Sequence, residues 1–404
     1  MKAVVFHGPG DIRVDQVPEP KIVEPMDAIV RLTASALCGT DLHMVRGTMP
    51  GMRPGTILGH EGVGIVEEVG RYVRNFRPGD RVVIPSTIAC GSCSYCRAGY
   101  HAQCDHANPN GMQGGSAFFG GPIATGPFDG LQAEYARVPF ANVGLVPLPD
   151  SVSDDQAIMI SDIYPTGWFG AKLAEVGTGD TVAVFGAGPV GQFAVLSAFQ
   201  LGAGRVIAVD GVASRLQGAR ALHAETVNFN EEDPVEIIRE MTRGVGVDRV
   251  IDAVGVDARR PVSGPATPDA PTDAEFDHEQ RAATGGEDHP AGRGWAAGDA
   301  PSQASRWATE AVAKAGTIGV VGLYPDSFRA FPIGVAFNRN LSVKLGVCHH
   351  RRYIPRLLSM VEAGQVDPAE IITQHRPVSG AVEAYQAFDR QEAGWTKVAL
   401  DPAA

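Results

Sequence analysis

The feature that most constrains this chain is a strand-like run that passes through a glycine turn directly into a helix-like run. Residues 181–186 read TVAVFG, and residues 189–203 read PVGQFAVLSAFQLGA. The junction between them carries the pattern G-x-G-x-x-G. Glycines at such a junction let the backbone approach a pyrophosphate, which then lies at the positive end of the helix. The predicted dinucleotide contacts in this turn are Gly186, Gly188, Pro189, Val190 and Gly191.

Strand-like and helix-like runs continue to alternate after this unit. The strand-like RVIAVD is followed by the helix-like SRLQGARALHA, and then come TVNFN, DPVEIIREMTRG and VDRVIDAVG. The alternation appears again in ASRWATEAVAKAG and TIGVVGLY. Such alternation is typical of a parallel, doubly wound sheet with helices on both faces. The sequence therefore predicts an α/β domain of the Rossmann type over residues 164–346.

An acidic residue ends the second strand of this predicted domain. Asp210 follows Gly191 by 19 residues. A carboxylate at that place accepts hydrogen bonds from the ribose hydroxyls of an adenosine and repels a 2′-phosphate. The sequence therefore favours NAD over NADP, although an acidic residue can also end a strand simply as a turn residue.

The first 150 residues have a different texture, rich in glycine and proline. Short β-like runs occur in the order AVVF, AIVRL, GVGIVEEVG, DRVVIP and AEYARVP. Turn signals such as GPGD and RPGD separate them. This spacing predicts an irregular, β-rich domain.

One segment interrupts the α/β alternation. Residues 257–303 are rich in proline, glycine, aspartate and alanine and show no regular hydrophobic period. A segment this long is usually a functional loop or a disordered insertion. It follows VDRVIDAVG, at the carboxyl end of a predicted strand, where ligands of doubly wound sheets bind. We therefore expect a long loop that covers a bound cofactor.

Four of the six cysteines lie in one short stretch. Cys90, Cys93 and Cys96 have the spacing C-x₂-C-x₂-C, and Cys104 follows eight residues later. Four thiolates can fill every position around a tetrahedral Zn²⁺, which makes a structural rather than a catalytic site. An iron–sulfur cluster is the alternative, because the same spacing begins a ferredoxin-type pattern. The fourth spacing and the absence of a following proline favour zinc.

Four further residues are candidates for a catalytic metal site. Cys38 begins C-G-T-D-L-H, His60 and Glu61 stand in G-H-E-G-V-G, and Asp162 lies in the mostly apolar ISDIYPTG. Taken singly, such residues are ordinarily a packing thiol, a loop histidine or a helix cap. Taken together, they are residue types that bind transition metals.

The charge and hydropathy patterns narrow the class of partner. The formal net charge is −12, without a basic block, which argues against a nucleic-acid surface. No apolar run reaches the roughly 18 residues of a membrane helix, and the first residues lack a signal-peptide pattern. The sequence predicts a cytoplasmic protein with a small-molecule substrate, without nucleic-acid or membrane partners.

Over most of its length the chain resembles the zinc-dependent alcohol dehydrogenases of the medium-chain dehydrogenase/reductase superfamily. C-x-T-D-x-H, G-H-E, the four-cysteine stretch and the G-x-G-x-x-G turn occur in the family's order. SDIYPTG and VFGAGPVG are most similar to the glutathione-independent formaldehyde dehydrogenase branch. That branch also has an insertion at this place and an aspartate as zinc ligand. The sequence of residues 257–303 nevertheless differs from that of the branch.

The resemblance implies a fold and two metal ions. It implies a GroES-like, β-rich catalytic domain formed by residues 1–163 and 347–404, around a Rossmann doubly wound parallel sheet formed by residues 164–346. Each chain would hold one structural and one catalytic zinc. The implied ligands of the catalytic zinc are Cys38, His60 and Asp162, with water or Glu61 in the fourth place.

The resemblance also implies roles for neighbouring side chains. Thr40 and His43 match a proton relay, and Asp41 matches the residue that orients His60. Gly39 stands where some relatives have an arginine against the pyrophosphate, and Lys397 is the candidate replacement for that charge. The implied cofactor contacts outside the glycine turn are Gly39, Thr40, His43, Thr166, Arg215, Val254, Arg259, Val321, Leu323 and Lys397.

The implied activity is the reversible oxidation of an alcohol to an aldehyde or ketone, with hydride transfer to NAD. A formaldehyde dehydrogenase or an aldehyde dismutase with tightly bound NAD(H) remains open, and so does a non-enzymatic NAD-binding protein. By analogy with the family we expect a homodimer or homotetramer. We also expect the insertion to lie over the adenosine half of NAD.

Overall fold

The structure, a computed structural model, describes residues 1–284, 295 and 297–404. Within these residues the chain forms two compact units. The first unit comprises residues 1–165, Trp295 and residues 347–404, and the second comprises residues 166–284 and 297–346. The β-rich unit is therefore assembled from both ends of the chain.

The secondary structure alternates as predicted in the middle of the chain. The strands of the described residues are β1 (Lys2–Gly8), β2 (Asp11–Gln16), β3 (Ala28–Ala36), β4 (Gly62–Val69), β5 (Arg81–Ile84), β6 (Tyr135–Val138), β7 (Val146–Pro147), β8 (Thr181–Phe185), β9 (Arg205–Asp210), β10 (Glu225–Asn228), β11 (Val247–Asp252), β12 (Val312–Val320), β13 (Ser342–Leu345), β14 (Gln374–Pro377) and β15 (Val398–Asp401). The helices are α1 (Gly39–Arg46), α2 (Ser94–Arg97), α3 (Ala141–Gly144), α4 (Asp154–Ser161), α5 (Ile163–Leu173), α6 (Pro189–Gln200), α7 (Ala213–Ala221), α8 (Pro234–Met241), α9 (Ala270–Ala283), α10 (Gln303–Ala311), α11 (Ile333–Asn338), α12 (His350–Glu362) and α13 (Ala381–Asp389). Among the described residues, no helix combines the length and the apolar character that crossing a bilayer requires.

The first unit is built on a mostly antiparallel seven-stranded sheet. Its strand order is β14-β15-β3-β4-β5-β7, with β6 paired to β3, and β1 and β2 form a separate antiparallel pair. The long strand β3 alternates buried residues such as Val30 and Leu32 with half-buried ones, as expected for a sheet with one face on a core. The predicted β-rich, GroES-like architecture of this region is confirmed.

The second unit is a six-stranded parallel sheet with the order β10-β9-β8-β11-β12-β13. Strands β8 and β9 are nearly continuous apolar runs, because helices cover both faces of such a sheet. From β8 the chain continues outward on one side through β9 and β10, and from β11 it continues outward on the other side through β12 and β13. The junction between β8 and β11 is therefore the switch point at which doubly wound sheets bind ligands. The α/β, Rossmann-type prediction is confirmed.

The insertion differs from its prediction. Residues 270–283 form helix α9, which Asp269 caps by accepting a hydrogen bond from the amide of Thr272. Phe276 is fully buried, with the guanidinium groups of Arg260 and Arg306 over its ring. The expectation of a long loop was therefore wrong for this stretch, while residues 285–294 and 296 lie outside the described part of the chain.

One residue of the insertion belongs to the β-rich unit. The indole Nε1 of Trp295 donates a hydrogen bond to the carbonyl of Gly10, 2.9 Å away. Its ring is buried in the cluster that contains Phe6, Leu42 and Tyr385. Trp295 therefore packs within the first unit.

Candidate metal centres and cofactor site

Helix α1 presents the residues of the C-G-T-D-L-H motif. Cys38 is its N-cap, and the Cys38 amide donates to Oδ2 of Asp41, 2.9 Å away. This local hydrogen bond fixes the backbone on which the Cys38 thiol is carried. Thr40 and His43 are three residues apart and so lie on one face of the helix.

Cys38, His60 and Asp162 converge in the first unit, in spite of more than a hundred residues between the first and the last. Their ligand atoms, with one oxygen of Glu61, all lie within 4.8 Å of one another, and all four residues are buried. Oδ2 of Asp162 is 3.4 Å from Nε2 of His60 and 3.6 Å from Sγ of Cys38.

These separations match the edges of a tetrahedron around a zinc ion. With ordinary Zn–S, Zn–N and Zn–O bond lengths, two tetrahedral ligands would be about 3.4 Å apart for nitrogen and oxygen and about 3.6 Å apart for sulfur and oxygen. The donor set also suits Zn²⁺, since it combines a thiol, an imidazole and a carboxylate. The geometry of Cys38, His60 and Asp162 therefore fits the predicted ion.

Glu61 forms a buried ion pair behind this set. Its Oε2 accepts a hydrogen bond from the ammonium of Lys397, which also donates to the carbonyl of Leu37. Burial raises the pKa of Glu61 to about 7, against the opposing effect of Lys397. Oε1 of Glu61 is buried without a hydrogen-bond partner, which is costly unless a cation comes near it.

Lys397, which was predicted to contact the cofactor, lies in the interior of the first unit. Its side chain is fully buried, and its ammonium is already shared between Glu61 and the carbonyl of Leu37. An ammonium group has three hydrogens, and these two contacts use two of them. Lys397 is therefore the partner of Glu61, and its predicted contact with a cofactor stays a prediction.

His60 is surrounded by anionic groups. Its Nδ1 lies 3.1 Å from Oδ1 of Asp41, and its Nε2 faces Asp162. Burial lowers the pKa of His60, but Asp41, Cys38 and Asp162 outweigh that effect and raise it well above its ordinary value. Several acidic groups concentrated around one imidazole form an environment that a divalent cation would balance.

Asp162 has a second buried histidine as its neighbour. Its Oδ1 lies 2.6 Å from Nε2 of His350, whose Nδ1 lies 3.1 Å from the hydroxyl of Thr87. Burial raises the pKa of Asp162, but hydrogen bonds from His350 and His60 prevail and hold it well below its ordinary value. The carboxylate is thus held in its anionic form, which is the form that binds metal.

The four cysteines of residues 90–104 form a second cluster in the first unit. Their sulfur atoms lie within 4.8 Å of one another, and none of the six cysteines is in a disulfide. Sγ of Cys93 is 4.0 Å from Sγ of Cys104, close to the roughly 3.8 Å between two thiolates on one tetrahedral zinc. A single ion fits this spacing, whereas the four thiolates of an iron–sulfur cluster are divided among two or more iron atoms, so that they cannot all stand this close together.

Backbone amides point at these sulfur atoms. The amides of Ser92 and Cys93 lie 3.3 Å from Sγ of Cys90, and the amide of Cys90 lies 3.2 Å from Sγ of Cys104. Burial raises the pKa of Cys90, but hydrogen bonds from Ser92 and Cys93 lower it to about 6. The loop therefore stabilises at least this sulfur as the thiolate that binds metal.

The glycine turn of the second unit has the geometry its pattern predicts. Gly186 has φ +87°, a left-handed conformation that favours glycine. A Cβ atom on Gly191 would lie 1.8 Å from the carbonyl oxygen of Gly186, so no other residue fits there. Gly188 caps helix α6, and Pro189 is its first residue. The turn and the helix start are thus built for close approach of an anionic group.

Asp210, the last residue of the neighbouring strand β9, contacts the glycine turn. Its Oδ2 accepts from the amide of Ala187, and its Oδ1 accepts from the amide of Val212, both at 2.8 Å. The guanidinium of Arg215 lies 3.9 Å from Asp210 and also near Gly188. Asp210 therefore has a local structural role in addition to its predicted contact with a ribose.

The predicted contacts Val254, Val321 and Leu323 follow the adjacent strands β11 and β12. The amides of Val254 and Val321 both bond to Asp252, through its side chain and its carbonyl respectively. Leu323 pairs with Gly255 in an isolated bridge. These residues therefore lie at the carboxyl ends of the parallel strands, as the glycine turn does, near the switch point.

The remaining predicted contacts lie in three separate places. Gly39 is exposed at the start of α1, in the first unit. Thr166 is half-buried in α5, and Arg259 stands in the loop after β11, both in the second unit. Their contact with a cofactor stays a prediction.

Comparison with known proteins identifies the family. Residues 24–150 match the alcohol dehydrogenase GroES-like domain, and residues 189–262 match the zinc-binding dehydrogenase family. An uncharacterized zinc-type alcohol dehydrogenase-like protein of Bacillus subtilis is 39% identical over 406 residues, covering 100% of this chain and 100% of that relative. The chain belongs to the zinc-type medium-chain alcohol dehydrogenase family.

Two further similarities bear on the position of this chain within that family. The structure of alcohol dehydrogenase TADH from Thermus sp. ATN1 is similar with a TM-score of 0.79 and 33% identity, covering 99% of each chain. The glutathione-independent formaldehyde dehydrogenase of Pseudomonas aeruginosa is 39% identical over 271 residues, which cover 64% of this chain and 66% of that relative. The family prediction is confirmed, whereas the similarity to the formaldehyde branch covers only part of the chain.

In this member of the zinc-type alcohol dehydrogenase family, sequence reasoning missed two side chains at the candidate catalytic site. His350 and Thr87 support Asp162. From the sequence, the run Cys348-His349-His350 is a weak candidate for a metal cluster, because adjacent residues rarely converge on one ion, and it indicates packing near the cofactor or a subunit contact instead. The available signal was the place of His350 at the return of the chain to the β-rich unit. Its partner could not be identified without the fold, because 188 residues separate it from Asp162.

Proposed function

We propose that this chain is an NAD-dependent zinc alcohol dehydrogenase that reversibly oxidises an alcohol to an aldehyde or ketone. The observation that carries the proposal is that Oδ2 of Asp162 lies at tetrahedral edge lengths from Nε2 of His60 and from Sγ of Cys38. A packing cluster has no need to bring three buried metal-binding side chains together in the interior. Membership in the family supports the same conclusion.

Cys38, His60 and Asp162 would hold the catalytic zinc, with Glu61 near enough to join them. When bound, this ion supplies Lewis acidity to the substrate hydroxyl oxygen and lowers its pKa. Asp162 and the Cys38 thiolate would bring negative charge to the site, and Asp41 would keep His60 in the correct orientation. Cys90, Cys93, Cys96 and Cys104 would hold a structural zinc.

Two side chains of α1 are proposed to move the substrate proton. The hydroxyl of Thr40 would accept the proton from the substrate hydroxyl and release its own, and the imidazole of His43 would be the later acceptor of the relay. Nδ1 of His43 lies 3.1 Å from the hydroxyl of Thr48, which fixes the ring. The common face of α1 that carries Thr40 and His43 supports this assignment.

The glycine turn of the second unit is the proposed cofactor site. Gly186, Gly188 and Gly191 would bring backbone amides to the pyrophosphate at the start of α6. Asp210 would accept hydrogen bonds from the ribose hydroxyls, which favours NAD over its 2′-phosphorylated form. When bound, NAD supplies the hydride acceptor.

The experiment that tests this function combines metal analysis with a substrate panel. Purified chain should hold two zinc ions and reduce NAD⁺ in the presence of a primary or secondary alcohol, followed by NADH absorbance. The substrate class is read from kcat/KM across linear, branched and aromatic alcohols. A chain that carries two zinc ions but is inactive with every alcohol and aldehyde would favour the non-enzymatic alternative.

A formaldehyde dehydrogenase or aldehyde dismutase with tightly bound NAD(H) is the second candidate. Partial similarity to the Pseudomonas enzyme supports it, and so does the root of the insertion. There the amide of Val262 and the hydroxyl of Ser263 bond to Asn230, whose side chain donates to the carbonyl of Gly211. The insertion thus begins beside the residue that follows Asp210, at the proposed adenosine end.

This second candidate makes a separable prediction. Protein denatured without added nucleotide should release NAD(H). Without added NAD⁺, a dismutase should convert formaldehyde to equal amounts of formate and methanol, because the hydride from one aldehyde reduces a second. Empty protein that requires added NAD⁺ for every reaction supports the exchangeable-cofactor alcohol dehydrogenase instead.

A further inference from the structure

The two oxygens of the Asp162 carboxylate face different groups. Oδ2 lies 3.6 Å from Sγ of Cys38 and 3.4 Å from Nε2 of His60, on the side of the proposed zinc ligands. Oδ1 lies 2.6 Å from Nε2 of His350. One carboxylate therefore joins the metal-binding set to a histidine that is outside it.

The chemistry of this contact fixes the tautomer of His350. An ionised carboxylate only accepts hydrogen bonds, so Nε2 of His350 must carry the hydrogen and donate it to Oδ1. The other ring nitrogen, Nδ1, lies 3.1 Å from the hydroxyl of Thr87, which is also buried. Both ring nitrogens are thus engaged, and the ring can neither flip nor rotate without losing a buried hydrogen bond.

The backbone places His350 and Asp162 side by side. Asp162 follows the last residue of α4, and His350 is the first residue of α12. Helices α4 and α12 pack against each other in the first unit. The Cα positions are therefore set by helix packing, while the terminal torsion of an aspartate is intrinsically broad and needs a hydrogen bond to select one orientation.

We propose that His350 is a positioning residue for the catalytic zinc, because its Nε2–H occupies Oδ1 of Asp162 and leaves Oδ2 as the single oxygen presented to the ion. Thr87 acts one step farther out by fixing the ring of His350. This inference rests on the proposed function, since it assumes that Asp162 is a zinc ligand. Hydrogen-bonded partners of metal ligands typically contribute about 10–100-fold to metal affinity or activity.

A purely structural role for the contact between His350 and Asp162 would have different consequences. In that case the hydrogen bond between His350 and Asp162 would only attach α12 to α4, and its loss would lower stability without a selective effect on one metal. The two roles therefore separate by a measurement of zinc affinity at each site in folded protein.

The test uses two amide substitutions of different length. In His350→Gln the side-chain amide reaches the position of the imidazole Nε2 and can still donate to Asp162, whereas in His350→Asn it stops near the position of Nδ1. Zinc affinity is measured by competition with a chromogenic chelator, and the ligand field of the site is followed in the absorption spectrum of the Co²⁺-substituted protein. Thermal melting of each variant confirms that it is folded.

We expect His350→Asn to lose about 10–100-fold in affinity for one of the two zinc ions and to change its Co²⁺ spectrum. The second zinc, at the four cysteines, should be retained as in the wild type. We expect His350→Gln to stay within a few-fold of the wild type. His349→Gln is the matched control, because His349 is an adjacent buried histidine whose Nδ1 accepts from the amide of Ala102 instead.

Thr87→Val supplies a second route if His350→Asn does not fold. It leaves His350 and Asp162 in place, removes the hydroxyl that fixes the ring, and should weaken the same zinc by a smaller factor. Equal loss in the Gln and Asn variants, or unchanged affinity for both ions in folded His350→Asn and Thr87→Val, overturns the inference. A wild-type chain that binds only the four-cysteine zinc would instead overturn the proposed function.

Discussion

Oδ1 of Asp41 lies 3.1 Å from Nδ1 of His60, and neither atom has another hydrogen-bond partner among the described residues. Oδ2 of the same carboxylate accepts from the amide of Cys38 and from the side-chain amide of Gln132. One buried carboxylate therefore connects the backbone of one proposed zinc ligand to the ring of another. Gln132 is held in turn by the hydroxyl of Tyr385, which donates to its Oε1.

Replacement of Asp41 should weaken the catalytic zinc without removing any ligand. Asp41→Asn keeps the size of the side chain but removes the charge that holds His60 with Nε2 directed to the ion. We expect a loss of about 10–100-fold in zinc affinity, measured by chelator competition, with a parallel fall in kcat. The four-cysteine zinc serves as the internal control. Unchanged affinity would mean that Asp41 acts only in capping α1.

Removal of the Asp162 carboxylate should abolish turnover and leave the fold largely intact. Asp162→Ala deletes one proposed ligand, so zinc content should fall from two ions per chain to one, as measured by plasma mass spectrometry. Ser161→Ala is the matched control, because within the described part of the chain the Ser161 hydroxyl bonds only to the carbonyl of Ile158, one turn back. Normal activity of folded Asp162→Ala would refute the assignment of the catalytic site.

The sequence alone predicts the parts of this protein that are local in the chain. The glycine turn at Gly186 and the four-cysteine loop are defined by spacing, and both have the predicted geometry. The environments of Lys397 and His350 could not be predicted, because their partners Glu61 and Asp162 are 336 and 188 residues away. A motif predicts the role of a residue from its place in the chain, whereas the partners of Lys397 and His350 depend on which distant residues the fold brings beside them.

The secondary structure predicted from the sequence was wrong in two segments, the insertion and the end of one predicted helix. Helix α9 buries Phe276, Glu279 and Ala283, so a charged residue occupies one of its inward positions and hides the helical period. Glu279 is satisfied there by the amide and the hydroxyl of Ser302. The predicted helix ASRWATEAVAKAG likewise ends early, at Ala311, because Val312 already pairs with β11.

Loss of the structural zinc should reduce stability rather than chemistry. Cys93→Ser removes one of four thiolates and one sulfur that accepts the amide of Cys96, 3.4 Å away. We expect the free energy of unfolding to fall by on the order of 4 kcal/mol, because a metal site contributes to folding directly. Chemical denaturation measures this loss, and Ser94→Ala in the exposed start of α2 is the control. Wild-type stability of Cys93→Ser would exclude a structural zinc there.

The choice between NAD and NADP should depend on Asp210. Asp210→Gly removes the carboxylate that would repel a 2′-phosphate and leaves Arg215 available to attract it. The substitution also leaves the amides of Ala187 and Val212 without their acceptor, so total cofactor affinity should fall. The expected result is a lower ratio of kcat/KM for NAD⁺ to that for NADP⁺. An unmodified enzyme that prefers NADP⁺ would contradict the interpretation of this strand end.

We expect two copies of this chain to associate through the outer strand of the parallel sheet, β13. Strand β13 pairs only with β12 among the described strands, and Leu345 at its end is 70% exposed. Helix α11, which precedes it, exposes Ile333 and Phe337 at 71% and 79%. An open strand edge with exposed apolar side chains invites pairing with another chain, and a second copy presents the same edge. This supports the expected homodimer or homotetramer.

Charges placed on this edge should therefore lower the mass of the particle in solution. We expect the wild type to elute as a dimer or tetramer in size-exclusion chromatography with light scattering, and Leu345→Lys combined with Phe337→Asp to shift it to a smaller species. The control is Val262→Lys, because Val262 is 85% exposed but lies in the insertion rather than at the sheet edge. A variant that keeps the wild-type mass would place the subunit contact elsewhere, and a monomeric wild type would remove the prediction altogether.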